Sequence, residues 1–91
     1  MSTSWERTVR ADILKDCLAT VAGKASRLET ETGRKLSFEA GVLANQVLDP
    51  EYDNDESLDC AEAELKRYRA TYEKLRQEKE NKKKAANPTE D

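Results

Sequence analysis

An acidic stretch in the middle of the chain has the spacing of a calcium-binding loop. Oxygen-bearing side chains occupy the first, third, fifth, seventh, ninth and twelfth positions of a twelve-residue window, at Glu51, Asp53, Asp55, Ser57, Asp59 and Glu62. Such loops need a glycine at the sixth position for a sharp turn, and Glu56 stands there instead. We therefore expect no metal, and interpret the stretch as a solvated acidic loop that caps the next helix.

Cysteine and histidine offer little for catalysis. The sequence has no histidine, which removes the side chain used most often as a general base near neutral pH. Only Cys17 and Cys60 are present, and neither belongs to a CxxC pair. We expect both to be small buried residues in a reducing compartment, with a disulfide between them as the less favoured alternative. The sequence therefore predicts no catalytic residue, no cofactor and no enzyme.

The strongest pattern is a helical stripe in the C-terminal half. Apolar side chains recur in steps of three and four, at Leu58, Ala61, Leu65, Tyr68, Tyr72 and Leu75. Its tyrosines and small gaps suit packing against other helices of the chain or against a partner peptide. Beyond Leu75 the sequence is polar, so this helix should extend into solvent. We place the folded domain at 1–80 and a disordered polar tail at 81–91.

A first helix is predicted near the N-terminus. Ser4 can cap it, and apolar residues from Val9 to Ala25 recur at helical spacing. The ring of Trp5 is expected to cover one end of the small core. The segment from Lys24 to Gly33 could continue the helix or form a connector, with Gly33 a natural helix terminator. We favour a frayed helix end followed by a loop.

A second, shorter helix should follow and end before Pro50, whose ring cannot continue a helix. Its main apolar face is Leu36, Ala40, Leu43 and Val47, widened by Phe38, Val42 and Leu48. Such a wide apolar face predicts that the helix is largely buried. Asp53 or Asp55 can cap the third helix. The predicted fold is all-α, a compact three-helix bundle with a long C-terminal third helix.

The net charge and the lack of long apolar runs limit the classes of partner that this chain could bind. The net charge of −3 argues against nucleic acid, and no apolar run reaches the roughly 20 residues of a membrane span. We expect a soluble intracellular protein. Cations such as Lys66 and Arg69 border the apolar stripe, which would attract an acidic amphipathic segment. The simpler alternative is that these cations form surface pairs within the helix, for example Glu62 with Lys66.

The order of residues resembles the KIX domain, the activator-binding module of CREB-binding protein and of the Mediator tail coactivator subunit. The segments that carry the resemblance are Trp5-x3-Val9-x2-Asp12-Ile13, Ala40-x2-Leu43-x3-Val47-Leu48, Glu56-Ser57-Leu58-Asp59 and Tyr68-Arg69-Ala70-Thr71-Tyr72-Glu73. The resemblance extends over nearly the whole chain to about residue 80. It implies a nuclear transcriptional coactivator domain that binds short amphipathic activation segments.

The resemblance also implies where such a partner binds. A groove between helices one and three would be lined by Ile13, Cys17, Leu58, Ala61, Leu65 and Tyr68, with Lys66 and Arg69 as cationic neighbours and Tyr72 farther along the stripe. A monomer is favoured over a homo-oligomer. The alternative is a structural helical subunit, in which the heptad face of helix three assembles with itself or with a larger complex.

Overall fold

The computed structural model describes residues 3–86, with side chains as far as residue 81, and contains three α-helices. They are α1 (Ser4–Ser26), α2 (Glu31–Gln46) and α3 (Asp55–Ala86), and a short 3₁₀ helix, Pro50–Tyr52, precedes α3. The predicted all-α bundle with a long third helix is confirmed.

Each α-helix begins at a polar side chain that caps its free amides. The capping oxygens and the backbone N–H groups that donate to them are Thr3 Oγ1 and Glu6 (3.1 Å), Thr30 Oγ1 and Gly33 (2.9 Å), and Asn54 Oδ1 and Ser57 (2.7 Å). The predicted caps Ser4, Asp53 and Asp55 are each one residue away from the observed ones. Asp53 instead accepts a hydrogen bond from Arg7 on α1, at 2.8 Å.

The turn between α1 and α2 brings the two helices very close together. Glu29 has a φ of 56°, in the left-handed region. Gly33 lies in the first turn of α2, so its predicted role as the terminator of helix one is wrong. A Cβ added at Gly33 would lie 2.8 Å from the carbonyl oxygen of Ala25 and 3.1 Å from the Cβ of Leu28. Glycine is therefore what allows α2 to start against the end of α1.

The helices run up, down and up, so that α1 and α3 are parallel. Arg10, near the start of α1, contacts Asp59 near the start of α3, and Leu28, just after α1, contacts Lys79 far along α3. The core side chains come from all three helices and the turns: Leu14, Leu18, Val21, Ala25, Leu28, Leu36, Ala40, Leu43, Ala44, Val47, Leu58, Ala61, Leu65 and Tyr68. Leu18 and Leu58 are fully buried.

Several apolar side chains expected in the core lie on the surface instead. Trp5 is 74% exposed, so it does not cover the core, and Phe38 is 71% exposed. Leu48 is also more than half exposed. The prediction that helix two is largely buried is therefore wrong for its second apolar flank. A bundle of three helices covers each helix from two directions only, and these side chains point away from both neighbours.

The third helix continues well past Leu75. It reaches Ala86, into the segment expected to be a disordered tail, and residues 87–91 of that tail lie outside the described residues. At 32 residues it is the longest helix, about 48 Å by the ordinary helical rise. None of the helices in the described part of the chain combines the length and hydropathy needed to cross a bilayer.

Candidate protein-binding surfaces

The apolar stripe of α3 forms the interior of the bundle. Leu58, Ala61, Leu65 and Tyr68 are at most 6% exposed, because α1 and α2 pack over them. Leu58, Ala61 and Leu65, which were expected to line a partner groove between helices one and three, are therefore covered in this structure, and Tyr68 borders a cavity that it shares with α2. Their burial orients α3, and that orientation decides which of its side chains flank α1.

The stripe becomes more open towards the C-terminal end of α3. Tyr72 and Leu75 are partly buried and pack against the edge of the core. This gradual opening follows from length, because α3 is nine residues longer than the 23-residue α1, which runs beside it. Tyr72 is thus the one stripe residue among the proposed binding residues that keeps partial access to solvent.

Ion pairs identify the flank of α3 that faces α1. Arg10 Nη2 lies 2.6 Å from Asp59 Oδ1 and 2.7 Å from Glu62 Oε2. The guanidinium therefore bridges two carboxylates one turn apart on α3. The pair expected within the helix, Glu62 with Lys66, does not form, because Arg10 of α1 takes the Glu62 carboxylate.

Four of the proposed binding residues come soon after these ion-paired residues in the sequence, on the flanks by which α1 and α3 face each other. Ile13 and Cys17 come three and seven residues after Arg10, and Lys66 and Arg69 come four and seven residues after Glu62. Such spacings keep residues on one side of a helix. Because α1 and α3 are parallel and the Arg10 ion pairs fix their register, we infer that the two pairs lie at a similar level along the bundle. We call these four residues the α1/α3 surface.

The side chains of the α1/α3 surface are accessible to a partner, and its two cations form no ion pair with the described residues. Ile13 is 58% exposed, Cys17 is partly buried, and Lys66 and Arg69 are exposed. Neither Lys66 nor Arg69 forms an ion pair with any described side chain. An apolar residue beside two free cations is an arrangement suited to a partner with both apolar and acidic groups.

The apolar part of this surface continues towards the start of α1. Trp5, Val9 and Ile13 follow one another at four-residue intervals and are 74%, 37% and 58% exposed. Residues at this spacing form a ridge along a helix. Trp5 was expected to cover the core, and Val9 was predicted only as part of the apolar period of helix one. Apolar periodicity by itself does not distinguish a ridge that faces the core from one that faces solvent.

A second apolar surface lies on the other flank of α3. It contains a shallow cavity of about 330 Å³ between α2 and α3. Its lining residues, which define the α2/α3 groove, are Phe38, Glu39, Val42, Leu43, Gln46, Glu64 and Tyr68. Sequence reasoning missed this groove, although the four-residue interval between Phe38 and Val42 was visible.

Electrostatic interactions in the α2/α3 groove centre on Tyr68. Burial raises the pKa of its phenol, and the nearby carboxylates Glu64 and Glu39 raise it further. The guanidinium carbon of Arg67 lies 5.1 Å from the centre of the Tyr68 ring. Arg67 also binds Glu64, and this hydrogen bond lowers the pKa of the Glu64 carboxyl group. The groove thus already attracts one cation of the chain itself.

The acidic stretch is divided between separate structural roles. Asp53 binds Arg7, while Asp59 and Glu62 bind Arg10. Among the described residues, no group of three or more acidic or cysteine side chains is placed to hold a metal ion. Both thiols are free, and Cys60 is exposed rather than buried as expected, because it lies on the side of α3 away from the stripe.

In comparisons with known proteins, no family model, no curated protein and no solved structure matches this chain.

Proposed function

We propose that this chain is a non-enzymatic protein-interaction module that binds an acidic amphipathic segment on the α1/α3 surface. The observation that carries the proposal is the exposed Ile13 beside the unpaired cations Lys66 and Arg69. Apolar contact supplies affinity in such a complex, and the charges orient the partner and speed its association. Trp5 and Val9 would extend the apolar contact along α1.

The binding mode differs from the groove that the KIX resemblance implies. Leu58, Ala61, Leu65 and Tyr68 act as the support that holds α1 and α3 in register, and the partner contacts the outer edge of that junction. Ordering a flexible partner costs about 2–5 kcal/mol, so a shallow surface of this kind should bind with a Kd on the order of micromolar.

A role as a transcriptional coactivator domain in the nucleus is the specific form of this proposal. Its support is the resemblance of the residue order to KIX domains, together with a bundle of three helices. The resemblance implies a partner that is a short amphipathic activation segment. The apolar side of an acidic segment of this kind would contact Ile13, and its carboxylates would pair with Lys66 and Arg69.

An NMR titration of the full chain with a synthetic acidic amphipathic peptide tests the proposal. We expect shifts centred on the α1/α3 surface, and about tenfold weaker binding after joint Lys66→Glu and Arg69→Glu substitution. Lys35→Glu, an exposed charge reversal on α2, is the matched control and should change the affinity little. Shifts absent from α1 and α3, or equal effects of the two charge reversals, would contradict the proposal.

The alternative is assembly through the heptad face of α3. That face is covered by α1 and α2 as far as Tyr68, so a second copy would have Tyr72 and Leu75 available first. Light scattering over a range of concentrations should show a monomer. A stable dimer that dissociates on Leu75→Asp would favour assembly; Leu65 is unsuitable for this test, because a buried aspartate would unfold the bundle itself.

A further inference from the structure

We propose that a cavity at one end of the bundle is a separate binding site and that it takes an arginine side chain of a basic partner segment. The cavity measures about 260 Å³ and lies between the start of α1 and the turn that joins α2 to α3. Its lining includes Ala11 and Asp12 on α1 and Leu48, Asp49 and Tyr52 in the turn, and we call it the turn pocket. None of the described residues that line it belongs to α3, so the inference does not depend on the proposed function.

The size and the apolar lining of the turn pocket suit one long side chain. Val47 is buried, and together with the partly buried Ala11 and Tyr52 it gives the pocket an apolar lining. Leu48 is 51% exposed, so part of that lining is open to a ligand. Pockets for drug-sized ligands span about 300–1,000 Å³, and this pocket is smaller. The methylene stem of a basic side chain can lie against these residues while its charged head stays at the polar side.

The charges that line the turn pocket favour a cation. Three of the lining side chains are carboxylates, and Arg7, the one cation among the described lining residues, already binds Asp53, with 2.8 Å between Arg7 Nε and Asp53 Oδ1. The hydrogen bond to Asp53, and then the charge of Asp55, raise the pKa of Arg7, so two carboxylates already match its charge. Neither Asp12 nor Asp49 forms an ion pair with any described side chain. These two carboxylates are therefore available to a partner.

The surroundings of the turn pocket add to its negative charge. The sequence has no lysine or arginine between Lys35 and Lys66, and this interval holds nine acidic residues. Val47, the C-cap residue of α2, lines the pocket, and the last turn of α2 carries no basic side chain. The negative end of the α2 dipole is thus not offset by a cation of that helix, and a cation in the pocket would lie close to it.

The spread of the carboxylates indicates which cation fits. A metal ion needs several oxygens around one point, and among the described residues no group of three or more acidic or cysteine side chains is placed to hold one. A guanidinium carries five N–H donors on a planar fork, so it can bind carboxylates that approach from different sides. Arg10 shows this in the same structure, where its guanidinium contacts both Asp59 and Glu62. An arginine side chain therefore suits the pocket better than a metal ion does.

An NMR titration of the full-length chain with short synthetic peptides tests the inference. The peptides share one sequence of small apolar residues and carry arginine, citrulline or glutamate at the central position. Citrulline has the shape of arginine but no charge. We expect the arginine peptide to shift resonances of Asp12, Leu48 and Tyr52, and the citrulline and glutamate peptides to bind at least about tenfold more weakly.

A pair of double variants with equal loss of charge separates the pocket from a diffuse attraction. Joint Asp12→Asn and Asp49→Asn substitution should weaken binding of the arginine peptide about tenfold. Asparagine at position 49 keeps an oxygen for the backbone N–H of Glu51, which now donates to Asp49 Oδ1 at 3.1 Å. The matched control is joint Asp16→Asn and Glu56→Gln substitution, which removes the same charge from exposed residues outside the pocket and should change the affinity little.

Leu48→Ser should weaken binding of the arginine peptide several-fold, whereas Phe38→Ser, an apolar truncation on α2 outside the pocket, should not. The inference is overturned by absence of binding, by equal effects of the two double variants, by a citrulline peptide that binds as tightly, or by shifts that avoid the pocket. Because the proposed function is tested with an acidic peptide and with substitutions at Lys66 and Arg69, failure of one proposal leaves the other standing.

Discussion

The Nζ of Lys79 donates a hydrogen bond of 2.8 Å to the backbone carbonyl oxygen of Leu28, 51 residues earlier in the chain. Leu28 lies in the turn between α1 and α2, where the last carbonyl groups of a helix lack partners within the helix. A residue from the polar part of α3 therefore closes the far end of the bundle. The part of α3 just beyond Leu75 is thus tied to the fold.

Substitution of Lys79 by methionine should destabilise the bundle modestly. It keeps the length and apolar stem of the side chain but removes the donor to Leu28, at a cost of about 0.5 kcal/mol, since solvent can replace part of the bond. Urea unfolding followed by circular dichroism measures the change. Lys74→Met, an exposed lysine on the same helix, is the control, and an equal loss in both variants would argue against the bond.

Gly33→Ala should destabilise the chain by about 1–3 kcal/mol, because the new Cβ would overlap the carbonyl oxygen of Ala25. Gly23 and Gly41 provide matched controls in α1 and α2. A Cβ at either position meets nothing within 4 Å, so alanine there should stabilise the helix by about 0.5–1 kcal/mol. Urea unfolding of all three variants tests whether the change in stability has one sign at Gly33 and the opposite sign at Gly23 and Gly41. A general effect of replacing glycine would have the same sign at all three positions.

Glu29→Gly should stabilise the chain by about 0.5–1 kcal/mol. The φ of 56° is costly for a residue with a Cβ, and glycine adopts it freely, although its greater freedom in the unfolded chain offsets part of the gain. Thermal unfolding of the variant should show a higher midpoint. Glu29→Ala removes the same charge and keeps the Cβ, so a similar gain in that variant would show that charge, not backbone conformation, is responsible.

The helices and their order could be predicted from the sequence because each helix carries its own apolar period. Leu58, Ala61, Leu65 and Tyr68 were expected to share one face, and all four are buried together. The exposure of Phe38 could not be predicted in the same way. Apolar periodicity shows which side of a helix can be buried, whereas the number and direction of neighbouring helices decide which side is.

The candidate surfaces were predictable only in part, because their key contacts join distant residues. Lys66 was expected either to pair with Glu62 or to face a partner, and nothing within α3 could decide between these roles. The decision comes from Arg10, 52 residues away, which occupies Glu62 and leaves Lys66 unpaired. A contact of this separation depends on how α1 and α3 pack, and periodicity within each helix does not specify it.

Tyr68 should make the stability of the fold depend on alkaline pH. Burial, and then the carboxylates of Glu64 and Glu39, raise the pKa of its phenol above the ordinary value of 10.0, so the folded chain favours the neutral form. The resulting stability is fully present below the unfolded pKa and is lost as the pH rises through the folded pKa.

Urea unfolding from about pH 8 to about pH 11, compared between the parent chain and Tyr68→Phe, isolates this effect from the titration of lysines. The parent should lose more stability over this range than the variant, and phenolate absorbance should show one late-titrating tyrosine that the variant lacks. Parallel loss in the two proteins would contradict the assignment.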